Sequence, residues 1–453
     1  MIEDLKPYPE YKDSGLPWLG EVAAHWGIKR GKSYLRAIDK RSNSGKEDLL
    51  TVSSTRGVVP RRNANVTMFK ANSYAGHKRC WPGDLVINSL WAWNGGLGVS
   101  RHHGIASTAY GVYRARNETE VNSCYLHELL RSSAFQWELQ VRSKGVWISQ
   151  LQPMETAFLD APIPLPPPEE QASIARFLAW ATSRLDRAIG AKHRIITLLQ
   201  EQKQAIIHRA VTRGLDPSVP LKDSGIPWLG DIPEHWEVTR VKGEFACLNF
   251  RRIPLSTIER GKMKRRQYDY YGASGIINKV EEYLFDEYLI LIAEDGANLA
   301  NLYLPLAIVA RGKYWMNNHA HILKPRKGQL EHLAALLESM DFRPWISGAA
   351  QPKLTQDRPM GIRIAIPPPE EQARIVEAFN KEAEPITLSI RELLQEASLL
   401  REYRTRLIAD VVTGKLDVRE VAAGLPEEIA SDDAQDATEE DLDLEDEVPE
   451  KLA

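Results

Sequence analysis

A chain of 453 residues with a formal net charge of −3, 43% hydrophobic and 26% charged, has the make-up of a soluble globular protein of about three ordinary domains or two larger ones. No apolar run approaches the roughly 18 residues of a membrane span, and the opening Met1-Ile-Glu-Asp is no signal peptide, so a cytoplasmic location is expected. Only Cys80, Cys124 and Cys247 are present, far apart and without a CxxC pair, which speaks against a disulfide framework and a cysteine zinc site.

In chain order, the first element is KDSGLPWLGEVAAHW at Lys12 to Trp26, and it returns as KDSGIPWLGDIPEHW at Lys222 to Trp236 with 10 of 15 positions identical. Behind it lies a variable region in which GDLVINSLWAWNGGLGVS (Gly83 to Ser100) predicts buried strands broken by glycine turns, followed by a helix around Glu120 to Leu139. PPPEEQA then stands at Pro166 and opens a 51-residue stretch, Pro166 to Asp216, that recurs without a gap at Pro367 to Asp417 with 17 positions identical. Three prolines can stop a strand and precede a helix, and Glu169 and Glu170 suit the positive end of a helix dipole, so each copy predicts one long helix. The second variable region carries YLILIAEDGANLANLYL (Tyr288 to Leu304) as its strand signal and a helix around Gln329 to Met340. It is nine residues shorter than the first, and the two share little sequence.

Each long helix needs a partner for its apolar stripe. The second places Phe379, Ile386, Leu393, Leu400 and Leu407 at seven-residue spacing, with Ile390, Leu394, Ala397 and Val411 on the same side. The first has Leu178, Leu185, Leu199 and Ile206 in that register, Ala181, Ala188 and Ile195 between them, and Lys192 interrupting the seam. The stripes are expected to pair antiparallel as a coiled coil, with a kink at Pro385; a seam for self-association is the alternative. The tryptophans of the repeated frame, Trp18, Trp26, Trp228 and Trp236, read as anchors that seat each domain on the helices.

The expected architecture is α/β: two domains of mixed structure separated by two long helices, related by an internal pseudo-twofold duplication. Its parts are 1–165, 166–216, 217–366 and 367–418, followed by an acidic tail from 419 to 453. From 427 onward the tail has 13 acidic residues against Lys451, a net of −12, so residues 1–426 carry +9. Such a tail reads as disordered and solubilising, the alternative being a mimic of DNA that competes for basic faces.

Catalytic signatures are missing: no Walker pattern, no HExxH, no GxSxG, and neither the glycine-rich cofactor loop nor the [N/D]PP[Y/F] segment of an amino-methylating DNA methyltransferase. His102-His103 and His319-Ala320-His321 lack a nearby third ligand and read as structural or surface histidines rather than a metal site. What remains is basic and polar material interleaved with aromatics. The first insert offers Arg56, Arg61, Arg62, Lys78, Arg79, Trp91, Trp93, Asn94, Arg101 and His102. The second offers Arg251, Arg252, Lys262, Lys264, Arg265, Arg266, Tyr270, Tyr271, Arg311, Lys313, Asn317, Asn318, His319 and Lys353. Arginine and lysine neutralise phosphates, arginine reads guanine, and asparagine reads adenine, so both inserts are candidate DNA-binding surfaces.

KDSG[LI]PWLG followed by HW, then PPPEEQ opening a long helix, the whole run through twice, resembles the specificity subunit of type I restriction-modification enzymes up to about Asp417. In the first insert PGDLVINSLWAW with GVSRHHGIAS is similar to one recurrent target-recognition type. In the second, YYGASG, AEDGAN, WMNNHAH and AAQPKL are similar to another. The resemblance implies a non-catalytic subunit whose two domains each read one half of a bipartite DNA site, while the helices fix the spacer and dock two modification subunits. It also implies that S-adenosylmethionine, ATP and magnesium act on the modification and restriction subunits and that this chain holds no cofactor. Two rival readings stay open at this level: a scaffold of two domains that binds no nucleic acid, and a self-contained nuclease or methyltransferase.

Overall fold

The computed structural model describes residues 5–63, 73–144, 152–153, 155–273, 275–295, 299, 306–348 and 352–426. The chain divides into two compact units, Met1–Arg194 with Leu393–Ala453, and Ile195–Glu392. The division passes through both long helices, so each unit contains the start of one and the end of the other.

The helices run Pro168–Arg213 and Pro369–Val412, each beginning at the third proline of its PPP run, where the missing N–H costs no hydrogen bond. In the first unit Ile174, Phe177, Leu178, Ala181 and Leu185 of the first helix share a core with Leu407, Val411 and Val412 of the second. In the second unit Ile375 and Phe379 of the second helix share a core with Ala210 and Val211 of the first. A start meets an end in both units, so the packing is antiparallel in each. Of the seam residues, Leu178, Leu185, Phe379, Ile386 and Leu407 are buried, and Leu199, Ile206, Leu393 and Leu400 half-buried. Three of the intermediate positions are corrected: Ile195 and Leu394 are 46% and 50% exposed and Ala188 is exposed, while Ile196 is buried. The reason is drift, since a 3.6-residue turn carries a strict heptad off the contact line. Lys192 sits at the seam because its ammonium pairs with Glu396.

The two inserts, little alike in sequence, build one and the same sheet. In the first unit Leu35–Ala37, Tyr110–Ala115, Leu85–Asn88 and Leu97–Val99 lie side by side in that order, each antiparallel to its neighbour. In the second the order is Phe245–Cys247, Ala320–Pro325, Leu289–Ala293 and Ala307–Ala310, again antiparallel throughout. Leu85–Asn88 and Leu289–Ala293 are central strands, which explains their near-continuous apolar runs. A helix lies against each last strand, Ser123–Arg131 in one unit and Leu330–Glu338 in the other. Each domain is closed by a strand pair that ties the start of the insert to its end: Gly27–Arg30 with Pro162–Leu165, and Glu237–Arg240 with Arg363–Ile366.

The single helix expected around Glu120 to Leu139 is two, Ser123–Arg131 and Ser133–Arg142. Ser132 ends the first with extended backbone and caps the second, its Oγ accepting the Phe135 N–H at 3.3 Å. The first residues of the tail expected at 419–453 belong to the packed structure. Arg419–Ala423 is helical, and Val418, Ala422 and Leu425 are buried in the core of the first unit; the acidic run from 427 lies outside the described residues. Much of AEDGAN and AAQPKL also lies outside them, as do 300–305.

Candidate nucleic-acid interface

The repeated frame is explained by one carboxylate in each unit. The buried Glu170 of PPPEEQA accepts hydrogen bonds from Trp26 Nε1 at 2.9 Å and the Tyr8 hydroxyl at 2.6 Å, while its other oxygen lies 2.7 Å from His25 Nε2. Glu371 repeats this with Trp236 Nε1 at 3.2 Å and His235 Nε2 at 2.7 Å. The next residue completes the joint: Gln171 bonds the Asn122 N–H (2.8 Å) and the Glu120 carbonyl (2.9 Å) at the start of one domain helix, and Gln372 bonds the Gln329 N–H (2.8 Å) at the other. Each indole also abuts the end of the opposite long helix. Gly414 has φ +75° with the Trp26 ring 3.2 Å from where a Cβ would lie, and Gly214 has φ +73° with Trp236 at 3.4 Å. Only glycine adopts that turn without strain at such a distance. The motifs therefore recur together because they touch. Trp26 and Trp236 are 0% and 1% exposed; Trp18 and Trp228 are half-buried against the two cores.

With the frame fixed, the polar residues of the inserts can be placed. In the first unit Trp91 and Trp93 stack with ring centroids 6.1 Å apart, Trp91 being 46% exposed, on the turn that carries Asn94. Arg79 pairs with Glu47 (3.2 Å) and lies over Trp81, while Arg62 pairs with Asp48 (3.4 Å). Arg61 lies half-buried beside it, and Lys78 donates to the Tyr110 carbonyl at 2.7 Å. Arg56, Arg101 and His102 lie where the hairpin of Leu50–Ser53 and Gly57–Pro60 and the loop after Val99 approach the domain helix.

In the second unit, candidates distant in sequence converge on Glu294. Arg252 pairs with its carboxylate and donates to the Asn318 and Ala320 carbonyls at 3.2 and 2.9 Å, and Lys353 Nζ lies 3.3 Å away. Burial would raise the Glu294 pKa, but the hydrogen bond from Arg252 and the neighbouring cations hold it below the usual value. His321 accepts from Asn249 at Nδ1 (2.8 Å) and meets the Leu354 carbonyl at Nε2 (2.7 Å), and burial lowers its pKa. It is a neutral spacer, not a counter-ion. His319 lies 2.9 Å from Asp295, and its N–H is held by Asn317 Oδ1 at 2.8 Å. Arg251 pairs with Glu287 at 2.5 Å, Arg311 with Glu331 at 2.9 Å and Lys313 with Asp286 at 4.0 Å. Lys262, Lys264, Arg265, Arg266 and Asn318 are exposed, and Tyr271 is half-buried.

Tyr270 is a correction. It is 2% exposed, enclosed with Val280 and Trp315, and its hydroxyl accepts the Leu255 N–H at 3.2 Å, so it is closed to a partner. Sequence reasoning also missed Phe250, 82% exposed on the turn Asn249–Arg251 and directly before Arg251 and Arg252, whose charges are tied inward. Its signal was an aromatic beside a basic pair. Among the described residues no three histidine, cysteine or carboxylate side chains come together as a metal site, and no helix is long and apolar enough to cross a membrane.

Residues 233–396 match the family model described as Type I restriction modification DNA specificity domain. The chain is 38% identical over 113 residues to a protein of Haemophilus influenzae named as the type I restriction enzyme specificity subunit S.HindORF215P, covering 24% of this chain and 29% of that one. It is 25% identical over 361 residues to the type I restriction enzyme MjaVIII specificity subunit of Methanocaldococcus jannaschii, covering 74% of this chain and 81% of that one. A solved chain from work on "complex assembly and conformational transition of the type I R-M system" superposes with a TM-score of 0.56 at 16% identity, over 87% of this chain and 99% of that one, and shares its fold. The chain thus shares its fold with that solved chain, and its residues 233–396 carry the match to a DNA specificity domain. Along most of its length the chain is similar to type I restriction enzyme specificity subunits.

Proposed function

We propose that each unit reads one half of a bipartite duplex DNA site and that the long helices set the unread spacer between the halves. The observation that carries this reading is one sheet, in one strand order, built twice on one frame with different polar faces. A scaffold that bound the same ligand twice would have no need of two faces. Arginines and lysines supply phosphate contacts, and the asparagines, exposed aromatics and arginines at the domain faces supply base contacts.

In this reading the chain is not itself an enzyme. Two modification subunits dock on the helices and bring S-adenosylmethionine chemistry, restriction subunits bring ATP- and magnesium-dependent cleavage, and the assembly works in the cytoplasm. The likeness to specificity subunits and the lack of a catalytic motif in the sequence support this division of labour.

The test is a methylation map of the source genome with the gene intact and deleted. Deletion is expected to abolish methylation at one bipartite adenine motif. Insertion of one helical turn near Lys192, matched near Gln395, is expected to change the spacer while leaving both half-sites as they were. Persistence of every motif on deletion, in a strain whose modification subunit is shown to be active, would overturn the proposal.

A further inference from the structure

In each unit, one end of the four-stranded sheet is where the outer strand, Leu35–Ala37 or Phe245–Cys247, finishes and its neighbour, Tyr110–Ala115 or Ala320–Pro325, begins. In the first unit the turn from Asn88 to Leu97 lies at that end and carries the stacked Trp91 and Trp93. In the second the outer strand runs on into the turn Asn249–Arg251 and presents Phe250 at the corresponding end. Phe250 is 82% exposed, more than any other large apolar side chain among the described residues, and belongs to none of the unit's apolar clusters.

The turn that carries the ring is tied down on both sides of it. Asn249 Oδ1 accepts the Ile322 N–H at 2.9 Å, and its Nδ2 donates to His321 Nδ1 at 2.8 Å and to Gln356 Oε1 at 2.9 Å. Arg251 pairs with Glu287, donates to the Leu284 carbonyl at 3.3 Å and lies 4.4 Å over the buried Phe285 ring. Arg252 pairs with Glu294 and donates to the Asn318 and Ala320 carbonyls, which fixes the exposed Asn318 to the same turn. Arg251 and Arg252 are therefore positioning residues, whose contacts hold the backbone from which Phe250 projects. The surroundings stay cationic. Glu287 meets Arg251 and Lys324, Glu294 meets Arg252 and Lys353, and each trio keeps one positive charge. Asp295 beside them is met by His319 at 2.9 Å. A firmly mounted aromatic ring among cations and amides has the chemistry of a base contact: the cations draw the phosphates, and the ring packs on base edges and thymine methyls or enters a base step.

We propose that Phe250 is a specificity-determining residue of the second domain, its ring packing against bases of duplex DNA while Asn318, fixed to the same turn through Arg252, faces the same half-site. The inference rests on the DNA reading above and deepens it by naming the reader. The partner is DNA rather than an apolar protein surface because the side chains fixed around the turn are cations and amides. The first unit supports the same assignment, since it carries the exposed Trp91 at the corresponding sheet end, on the turn that holds Asn94.

The test is Phe250→Ala in the full-length chain, reconstituted with its modification subunits. The complex is titrated over a range of salt with duplex carrying the mapped motif, with duplexes changed one base pair at a time in either half-site, and with a scrambled duplex. The variant is expected to melt with the unsubstituted chain, because the ring is exposed. It is expected to bind the cognate duplex about tenfold or more weakly and to lose discrimination at about one or two neighbouring base pairs. Those pairs lie in the half-site that is kept when residues 27–160 are exchanged. Binding to the scrambled duplex and the slope of log K against log salt stay as they were, since an apolar ring neutralises no phosphate. Phe250→Leu, which keeps apolar bulk, retains most of the cognate affinity. Unchanged cognate binding and discrimination overturn the proposal, as does a loss shared equally by the scrambled duplex or one that falls in the other half-site. A lowered melting temperature overturns it by showing that the ring is packed within the chain. Failure to capture the modification subunits overturns it in favour of a protein contact. If the unsubstituted complex does not distinguish cognate from scrambled duplex, the DNA reading falls first and the assignment of Phe250 with it.

Discussion

The two recognition domains differ where they would meet a partner and agree where they meet the frame. The second adds a four-stranded sheet of Gly275–Val280, Tyr268–Gly272, Lys313–Met316 and Phe285–Asp286, one pair of it parallel. At that level the first has a hairpin and a separate two-stranded pair, Lys78–Cys80 with Gly104–Ala106. Their charged faces are organised differently too. The first pairs Arg79 with Glu47 and Arg62 with Asp48 separately, while the second gathers Arg252 and Lys353 on Glu294 and ties Arg251 to Glu287. A shared sheet on a shared joint thus leaves the faces free to diverge, which a subunit with two half-sites requires.

The joint gives the sharpest contrast. Glu170 has three partners and is 4% exposed, whereas Glu371 has two, lacks an equivalent of Tyr8, and its side chain is 15% exposed. Glu170→Ala strands buried donors and is expected to cost about 3 kcal/mol in denaturant unfolding, with Glu371→Ala nearer 1 to 2 kcal/mol. Equal losses would mean that the tyrosine adds nothing.

A second contrast lies inside the matched domain helices. Tyr125, the third residue of Ser123–Arg131, is fully buried with its hydroxyl on the Pro164 and Val412 carbonyls at 3.1 and 3.3 Å. His332, the third residue of Leu330–Glu338, is equally buried, and among the described residues neither ring nitrogen has a hydrogen-bond partner. Burial lowers its pKa to about 4 from the ordinary 6.5. Between those values the unfolded chain binds a proton that the folded one refuses, so stability falls as pH drops from 6.5 to 4. His332→Leu is expected to raise stability at neutral pH by about 1 to 2 kcal/mol and to flatten that acid loss in a melting-temperature profile. A destabilised variant would show that the imidazole has a partner after all. The smallest effect expected is for Tyr8→Phe, about 1 kcal/mol, felt by the first unit alone.

Much of this was legible in the sequence. The duplicated motifs gave both long helices their starts, and the frame tryptophans their role, because helix signals are local and an indole in a repeated motif has few other uses. The common sheet was not legible. Its strands are three to six residues long, and a backbone ladder accepts many side chains, so two inserts can share every strand pairing and little sequence. Glu170 was read as a partner of the helix dipole, which fits the same position without revealing the indole and phenol that reach it from residues 26 and 8. Arg252 looked free for DNA because its carboxylate is 42 positions away in sequence. Buried Tyr270 shows that an aromatic near basic residues can belong to the core.

The most direct test of one frame carrying two readers is to exchange residues 27–160 for those of a family member with a different site and to map the methylated motif of the reconstituted complex. The account predicts that one half-site changes while the other half and the spacer stay as they were. A change in both halves, or in the spacer, would contradict it.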